Sequence, residues 1–116
     1  MSLRGAEAVY ARSAIQMTGY AYLWEFHVKP GSEAEFELHY GPDGTWVLLF
    51  RNSPDFIATL LLKDKAVPGR YVTLDRWRSE AAWQAFQVAY AAQYAELDKA
   101  CESLTEKEQS LGSYAT

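Results

Sequence analysis

The sequence predicts an α+β domain with a ferredoxin-like antiparallel sheet, helices on one face of that sheet, and a second copy packed on the other face to form a dimeric α+β barrel. Three observations predict this fold. Three segments alternate side chains with a period of two residues, as strands do, and others repeat apolar residues every three or four positions, as helices do. In addition, three consecutive leucines in one strand predict burial on both faces of the sheet.

The first strand is predicted at Tyr20–Val28, because its aromatic residues alternate with smaller or polar ones. A proline–glycine turn follows it. The segment from Ser32 to Glu35 has the pattern of a capping box, in which the Ser32 hydroxyl accepts a hydrogen bond from the amide three residues later and Glu35 reaches back. We therefore expect a helix that begins near Glu33.

A second, short helix is predicted after the glycine-rich segment that ends the first one. Asp43 is placed to cap this helix, and its apolar face would hold Trp46, Leu49 and Phe50.

The second and third strands are predicted at Phe56–Lys63 and Tyr71–Trp77, joined as an antiparallel hairpin. The second strand contains Leu60, Leu61 and Leu62, which cannot all be covered by helices on one side. An apolar sheet face left open to water promotes association, so we expect a homodimer through this face.

A long helical segment is predicted from Glu80 to about Leu104, with the Ser79 hydroxyl as its cap. Its stripe of apolar residues fits either one helix or two helices with a bend around Ala91 or Ala92.

The end of the chain predicts one short final strand within Ser110–Thr116. Just before it, Glu102, Glu106, Lys107 and Glu108 have the pattern of a solvated helix end.

Residues 1–19 lack the alternation that begins at Tyr20, and we expect them to be a flexible N-terminal extension, with Met17 as an alternative initiator. A short amphipathic helix that includes Ala8 and Ile15 is the competing interpretation. Residues 20–116 would form one domain.

Composition limits the classes of function. The net charge is −4, and no element carries a basic stripe, which argues against a nucleic-acid partner. The single cysteine excludes an internal disulfide and favours the cytoplasm. No apolar run is long enough to span a membrane, so no membrane partner is expected.

The residue pattern resembles the antibiotic biosynthesis monooxygenase (ABM) family over about residues 20–114. The segments that carry the resemblance are Val28-Lys29-Pro30-Gly31, Phe36, Tyr40-Gly41-Pro42, Trp46, Leu49-Phe50-Arg51, Phe56, Thr59-Leu60-Leu61, and Tyr71 to Trp77 before Ser79-Glu80. The resemblance implies a dimeric α+β barrel, with an active cavity between the sheet and the helices of each subunit and a dimer contact across the opposite face.

The resemblance also implies two kinds of chemistry. Haem-degrading members have an Asn on the first strand and a His on the long helix; here the Asn position falls on Trp24 and no His follows His39, which counts against this branch. Cofactor-independent quinol monooxygenases need only a pocket for a planar phenol, a group that handles its proton, and apolar space for oxygen. We therefore expect a monooxygenase without a cofactor or bound metal that acts on a small aromatic or quinol-like substrate.

The candidate site follows from this expectation. The candidate catalytic residues are Trp77 and Asp75, and the candidate substrate-binding residues are Tyr22, Trp24, Trp46, Phe50, Phe86 and Tyr90. The alternative is that these rings are core packing, because large aromatic residues usually are. In that case the chain would be a non-catalytic dimeric module that binds a small ligand.

Other side chains are weaker candidates. His27 and Glu25 share a strand face and are expected to be an interface pair, whereas His39 is expected on the surface. Asp75 could instead form an ion pair with Arg76 or Arg78. Cys101 falls in the apolar stripe and is expected to be inert packing.

Overall fold

A computed structural model of the chain describes residues 16–116. Along the chain the elements are β1 (Tyr20–Val28), α1 (Glu33–Tyr40), α2 (Thr45–Phe50), β2 (Phe56–Lys63), β3 (Arg70–Trp77), α3 (Glu80–Ala89), α4 (Ala91–Cys101), a 3-10 turn (Glu102–Leu104) and β4 (Thr105–Ala115). With each pair of neighbouring helices counted once, this is the β-α-β-β-α-β order of a ferredoxin-like domain, which confirms the predicted α+β class.

The four strands form one antiparallel sheet in the order β2-β3-β1-β4. In the central pair, Tyr22 on β1 lies opposite Asp75 on β3, and on the other side of β3 Thr59 of β2 lies opposite the same Asp75. These three side chains therefore form a row across the sheet, on the face that the helices cover.

The helices bury a largely aromatic layer against that face. On β3 the helix-facing residues Tyr71, Thr73, Asp75 and Trp77 are all buried. The core rings and aliphatic groups are Tyr22, Phe26, Val28, Phe36, Tyr40, Trp46, Phe50, Tyr71, Trp77, Trp83, Phe86, Cys101 and Leu104.

Two predicted helix caps are wrong. Ser32 makes no side-chain cap, because its ψ of 5° is not the extended conformation that brings a hydroxyl over the first turn; instead the Gly31 amide donates to Glu33 Oε1 at 2.8 Å. Asp43 does not cap α2 either. The chain enters α2 at Gly44, one residue later than predicted, and the Asp43 carboxylate binds Arg51 at 2.9 Å.

The predicted cap of the long helical segment is confirmed. Ser79 is extended, and its hydroxyl accepts a hydrogen bond from the Ala82 amide at 3.1 Å. The segment is two helices, which break at Tyr90 beside the predicted bend.

The final strand is longer than predicted. It begins at Thr105, pairs with all of β1, and includes Glu106, Lys107 and Glu108, so the predicted solvated helix end is wrong for these three residues. The error has a physical reason: most side chains of this edge strand are exposed, so no apolar alternation marks it. Its pairing with the edge of β1 determines its conformation.

Within one chain, the run Leu60–Leu62 is not buried on both faces of the sheet. Leu61 is half-buried on the helix-facing side, whereas Leu60 and Leu62 are 52% and 47% exposed on the opposite side. Among the described elements, no helix covers that open face.

The predicted extension lies mostly outside the described residues, and its flexibility stays a prediction. At its end, Gly19 exchanges two backbone hydrogen bonds of 3.2 Å with Thr116. Within residues 16–116, no helix has the length and apolar character needed to cross a membrane.

Candidate active site

A cavity of about 210 Å³ lies between the sheet and the helices. Its lining comes from all four strands and from α1, α2 and α4: Tyr22, Trp24, Phe26, Tyr40, Trp46, Phe50, Thr59, Thr73, Asp75, Tyr94, Asp98 and Glu108. The exposed side chains of Trp24, Asp98 and Glu108 mark its mouth, and Thr59, Thr73 and Asp75 lie on the sheet that forms its floor. The cavity is therefore aromatic on its walls and polar at its floor and mouth.

Asp75 is the buried carboxylate of this site, with 8% of its surface exposed. Burial raises its pKa to about 6, because the charged form loses hydration. Two hydroxyls oppose this rise. Thr59 donates a hydrogen bond to Asp75 Oδ1, and the Tyr22 hydroxyl lies near enough to stabilise the charge, although it falls outside the geometry of a formed hydrogen bond. Near neutral pH the carboxylate can thus accept and return a proton.

The tyrosines of the cavity stay protonated. Burial, and next the negative charge of Asp75, raise the pKa of Tyr22 well above its ordinary value. Burial is also the main cause of the raised pKa of Tyr40, and it raises the pKa of Tyr94 to about 12 with a contribution from Asp98. At neutral pH these hydroxyls are therefore hydrogen-bond donors and not bases.

Two lining residues contain polar atoms that have no hydrogen-bond partner within residues 16–116. The Tyr22 hydroxyl and the Trp46 indole N–H are buried and have no hydrogen-bond partner among the described residues. Buried polar groups are usually paired, and an unpaired one costs about 1–3 kcal/mol. Both groups therefore suit a ligand that supplies the missing partner.

The structure brings five of the eight predicted site residues to this cavity, namely Tyr22, Trp24, Trp46, Phe50 and Asp75. It places the other three, Trp77, Phe86 and Tyr90, outside the lining. Trp77 is fully buried and packs against Phe86 with ring centroids 5.2 Å apart, and Tyr90 stacks on the outer side of Phe86 at 5.1 Å.

Sequence reasoning did not select seven of the lining residues, which are Phe26, Tyr40, Thr59, Thr73, Tyr94, Asp98 and Glu108. Thr59 and Thr73 could have been found, because strand alternation places both on the same face as Asp75. Asp98 and Glu108 lie on different elements, and only the pairing of β4 with β1 brings Glu108 to the mouth.

The weaker candidates lie away from the cavity. On the open face of the sheet, the Glu25 carboxylate binds Arg70, and His27 Nε2 is 3.6 Å from the same carboxylate. His39 is not a surface residue as expected, since its half-buried ring hydrogen-bonds Thr45 Oγ1 at 2.9 Å. Cys101 is buried.

The predicted ion pair of Asp75 is wrong. Alternation along β3 points Arg76 to the opposite face of the sheet. Arg78 lies near Asp55, with 3.8 Å between Nε and Oδ1.

The family model described as antibiotic biosynthesis monooxygenase matches residues 20–95, which is more than half of the chain. The chain belongs to this family. The match spans β1 through the first turns of α4 and so includes nearly every element that lines the cavity of this ABM domain.

Solved structures share the ABM fold at low sequence identity. SnoaB from Streptomyces nogalater, a cofactor-independent oxygenase, is 19% identical with a TM-score of 0.70, over 85% of this chain and 93% of SnoaB. PA3566 from Pseudomonas aeruginosa is 19% identical with a TM-score of 0.63, over 88% and 98% of the two chains. NE2512 from Nitrosomonas europaea, of unknown function, is 22% identical with a TM-score of 0.62, over 86% and 90%. No curated protein matches this ABM chain significantly.

Within residues 16–116, no three His, Cys, Asp or Glu side chains come together in a group that could hold a metal ion. The titratable groups that line the cavity are carboxyls and phenols. These carboxyls and phenols can transfer protons and form hydrogen bonds to a ligand enclosed by aromatic rings.

Proposed function

We propose that this ABM protein is an oxygenase that acts on a small aromatic phenol or quinol and uses neither a metal nor an organic cofactor. The observation that carries the proposal is Asp75, a buried carboxylate on the floor of an aromatic cavity. The similarity in fold to SnoaB, which is a cofactor-independent oxygenase, supports it.

The proposed reaction begins with proton transfer. A planar phenol would lie between Trp24, Trp46 and Phe50, with its hydroxyl toward the floor. Asp75, in its ionised form, removes the hydroxyl proton, and the Tyr22 hydroxyl donates to the phenolate oxygen. Because aromatic walls exclude most water, the phenolate is a stronger electron donor there than in solution.

Oxygen then reacts with the phenolate directly. One electron passes from the phenolate to O2, and the two radicals join through a bond between oxygen and the ring carbon para to the phenol oxygen. The resulting peroxide anion takes the proton back from Asp75. Loss of the hydrogen on that carbon together with hydroxide leaves a quinone and one water molecule. One oxygen atom thus enters the product and the other leaves as water, so the substrate itself supplies the electrons.

The test is oxygen uptake by the purified protein with 9-anthrols and 1-naphthols, whose ring carbon para to the hydroxyl carries a hydrogen, with no metal or flavin added, followed by mass spectrometry of the product formed under 18O2. We expect one labelled oxygen atom per quinone and no release of hydrogen peroxide. Asp75→Asn should lower the rate about 100-fold or more, since that is the usual contribution of a positioned base.

Asp43→Asn is the matched control, because it removes a carboxylate of the same type from an exposed position. A substrate that binds tightly but shows no uptake above autoxidation, or an uptake that is the same in Asp75→Asn, would contradict the oxygenase and favour the non-catalytic ligand-binding module.

We also propose that the open face of the sheet forms a homodimer. Leu60 and Leu62 are exposed there next to Leu74 and Val72 on β3, and an apolar strip of this kind is usually covered by a partner. Leu60→Lys should shift the mass measured by light scattering to that of a monomer, whereas Leu38→Lys, at an exposed leucine on α1, should not. Two variants of equal mass would contradict this interface.

A further inference from the structure

The mouth of the cavity contains two carboxylates that the proposed oxygenation does not use. Asp98 projects from α4 and Glu108 from β4. Together with Asp75 they are the charged residues of the lining, and no described lining residue is Lys, Arg or His. The field in this cavity therefore attracts a cationic group and repels an anionic one.

An exposed indole lies beside these carboxylates. The pairing of β1 with β4 places Trp24 opposite Ser110 and Phe26 opposite Glu108, so Trp24 and Glu108 are diagonal neighbours on the helix-facing side. Diagonal neighbours in a sheet lie about 7–8 Å apart. Trp24 is 36% exposed, and indole is the aromatic ring that binds cations best.

The two carboxylates are close enough to influence each other. Burial raises the pKa of Glu108, and the charge of Asp98 is the next largest cause, while the Thr105 hydroxyl, 3.4 Å away, lowers it. Within residues 16–116 neither carboxylate has a cationic side chain within ion-pair distance, and Lys107 lies opposite His27 on the other face. Among the described residues this negative charge is thus uncompensated.

A second, independent feature, on the wall of the same cavity, points to a ligand. Trp46 packs edge-on against Tyr94 at 4.9 Å, and Tyr94 lies one helical turn before Asp98 on α4. The Trp46 indole N–H is buried and forms no hydrogen bond among the described residues, although the Tyr40 hydroxyl and the Cys101 thiol lie near it. A ligand bound here can accept this hydrogen bond through a ring oxygen while its other end reaches the mouth.

We infer that the ligand of this cavity is an aromatic phenol that also bears a protonated amine, with the ring between the aromatic walls and the ammonium group at Trp24, Asp98 and Glu108. This inference rests on the proposed function and adds the chemical class of the substrate. In this proposal the floor of the cavity accepts the phenol proton, and the mouth determines which charge the substituent of the ligand must carry.

The test uses three naphthols that differ only in the charge at one end: 6-(aminomethyl)-2-naphthol, 6-(hydroxymethyl)-2-naphthol and 6-hydroxy-2-naphthoate. Their affinities are measured by calorimetry with the full chain at neutral pH and low ionic strength. We expect the amine to bind about tenfold more tightly than the alcohol and the carboxylate to bind more weakly than both, as for a partly desolvated charge pair. Added salt should reduce the preference.

The variants Asp98→Asn and Glu108→Gln should each weaken binding of the amine about threefold to tenfold and leave the alcohol within about twofold. Glu106→Gln is the matched control, because it removes the same charge from β4 at a residue outside the lining. Circular dichroism confirms that each variant is folded.

The outcomes distinguish the two proposals. Equal affinities for the three naphthols, or a preference for the amine that persists in both mouth variants, would overturn the inference and leave the oxygenase proposal standing. Failure of all three naphthols to bind would contradict the aromatic substrate site itself, and the inference would fall with it.

Discussion

The two ends of the layer between sheet and helices are built from the same strands but differ in packing. At the closed end, Trp77 has no exposed surface, and its indole contacts the rings of Phe50, Phe56 and Phe86 at 5.2–5.5 Å. At the open end, two residues earlier on the same strand, Asp75 lies at the floor of a cavity.

The difference originates in the residues that each element contributes. At the closed end α3 supplies large rings that fill the space over β3, including Trp83, 5.2 Å from Trp77. At the open end the strands contribute short polar side chains, Thr59, Thr73 and Asp75, which leave volume unfilled. An aromatic residue therefore becomes core or cavity wall according to its neighbours across the layer, and not according to its own strand pattern.

The largest expected effect contrasts the two tryptophans. Trp77→Ala should lower the free energy of unfolding by about 4 kcal/mol, because it removes a fully buried ring from a packed cluster. Trp24→Ala should lower it by about 2 kcal/mol or less, because about a third of its surface is exposed and less buried area is lost. Urea denaturation followed by circular dichroism measures both.

For ligand affinity the two tryptophans should rank the other way, with the larger effect at Trp24. Trp24→Ala should weaken binding of the amino-naphthol, whereas the conservative Trp77→Phe, which keeps most of the packing, should leave it nearly unchanged. If the two alanine variants lost equal stability, the distinction between a closed and an open end would be wrong.

The next effect is the loss of folding stability that comes from burying the Asp75 carboxylate at the open end. Because the pKa of Asp75 is raised to about 6 in the folded protein, the native state keeps its proton where the unfolded chain, with a pKa of about 3.9, has released it. Stability owed to this group should therefore fall as pH rises from about 4 to 6. Asp75→Asn cannot ionise, so at pH 7 it should be more stable than wild type by up to about 3 kcal/mol.

The measurement is urea denaturation of wild type and Asp75→Asn at several pH values. The contributions of the carboxylates with lowered pKa, such as Glu25 and Asp64, are common to both proteins and cancel in the difference. Asp43→Asn, at an exposed position, serves as the surface control in the same measurement. A gain that is constant from pH 4 to 7 would mean that ionisation of Asp75 is not its cause.

The sequence was informative where the pattern is local. β1 and β2 have their predicted bounds, and the Ser79 cap forms, because alternation, turn residues and a capping hydroxyl all act within a few positions. Prediction failed where contacts between residues far apart in the sequence determine the local conformation. The sequence predicts a helix end over part of the strand Thr105–Ala115, because the conformation of this strand depends on the free edge of β1.

The cavity was only partly predictable for the same reason. Aromatic composition indicated many candidate walls but could not separate Trp24 from Phe86, because that distinction depends on which helix lies opposite. The more informative signal was polar: Thr59, Thr73 and Asp75 occupy inward positions of β2 and β3 beside apolar residues such as Leu61 and Trp77. A buried polar side chain on a strand face usually forms a hydrogen bond, and here Thr59 and Asp75 bond to each other and also line the cavity.

The smallest expected effect tests how Thr59 adjusts that carboxylate. Its hydroxyl donates to Asp75 Oδ1 and thereby lowers a pKa that burial raises. Thr59→Val keeps the volume but removes the donor, so the pKa of Asp75 should rise by about one unit, the usual worth of a hydrogen bond to a charged group. Thr59→Ser keeps the donor and should leave the pKa nearly unchanged.

The carboxyl carbon of Asp75, assigned by its absence in Asp75→Asn, reports this titration by 13C NMR without any substrate. The pH window in which stability falls should move upward together with the pKa in Thr59→Val, because both follow the same ionisation. If Thr59→Val and Thr59→Ser titrate alike, burial alone determines the pKa of Asp75, and Thr59 only fills space on the cavity floor.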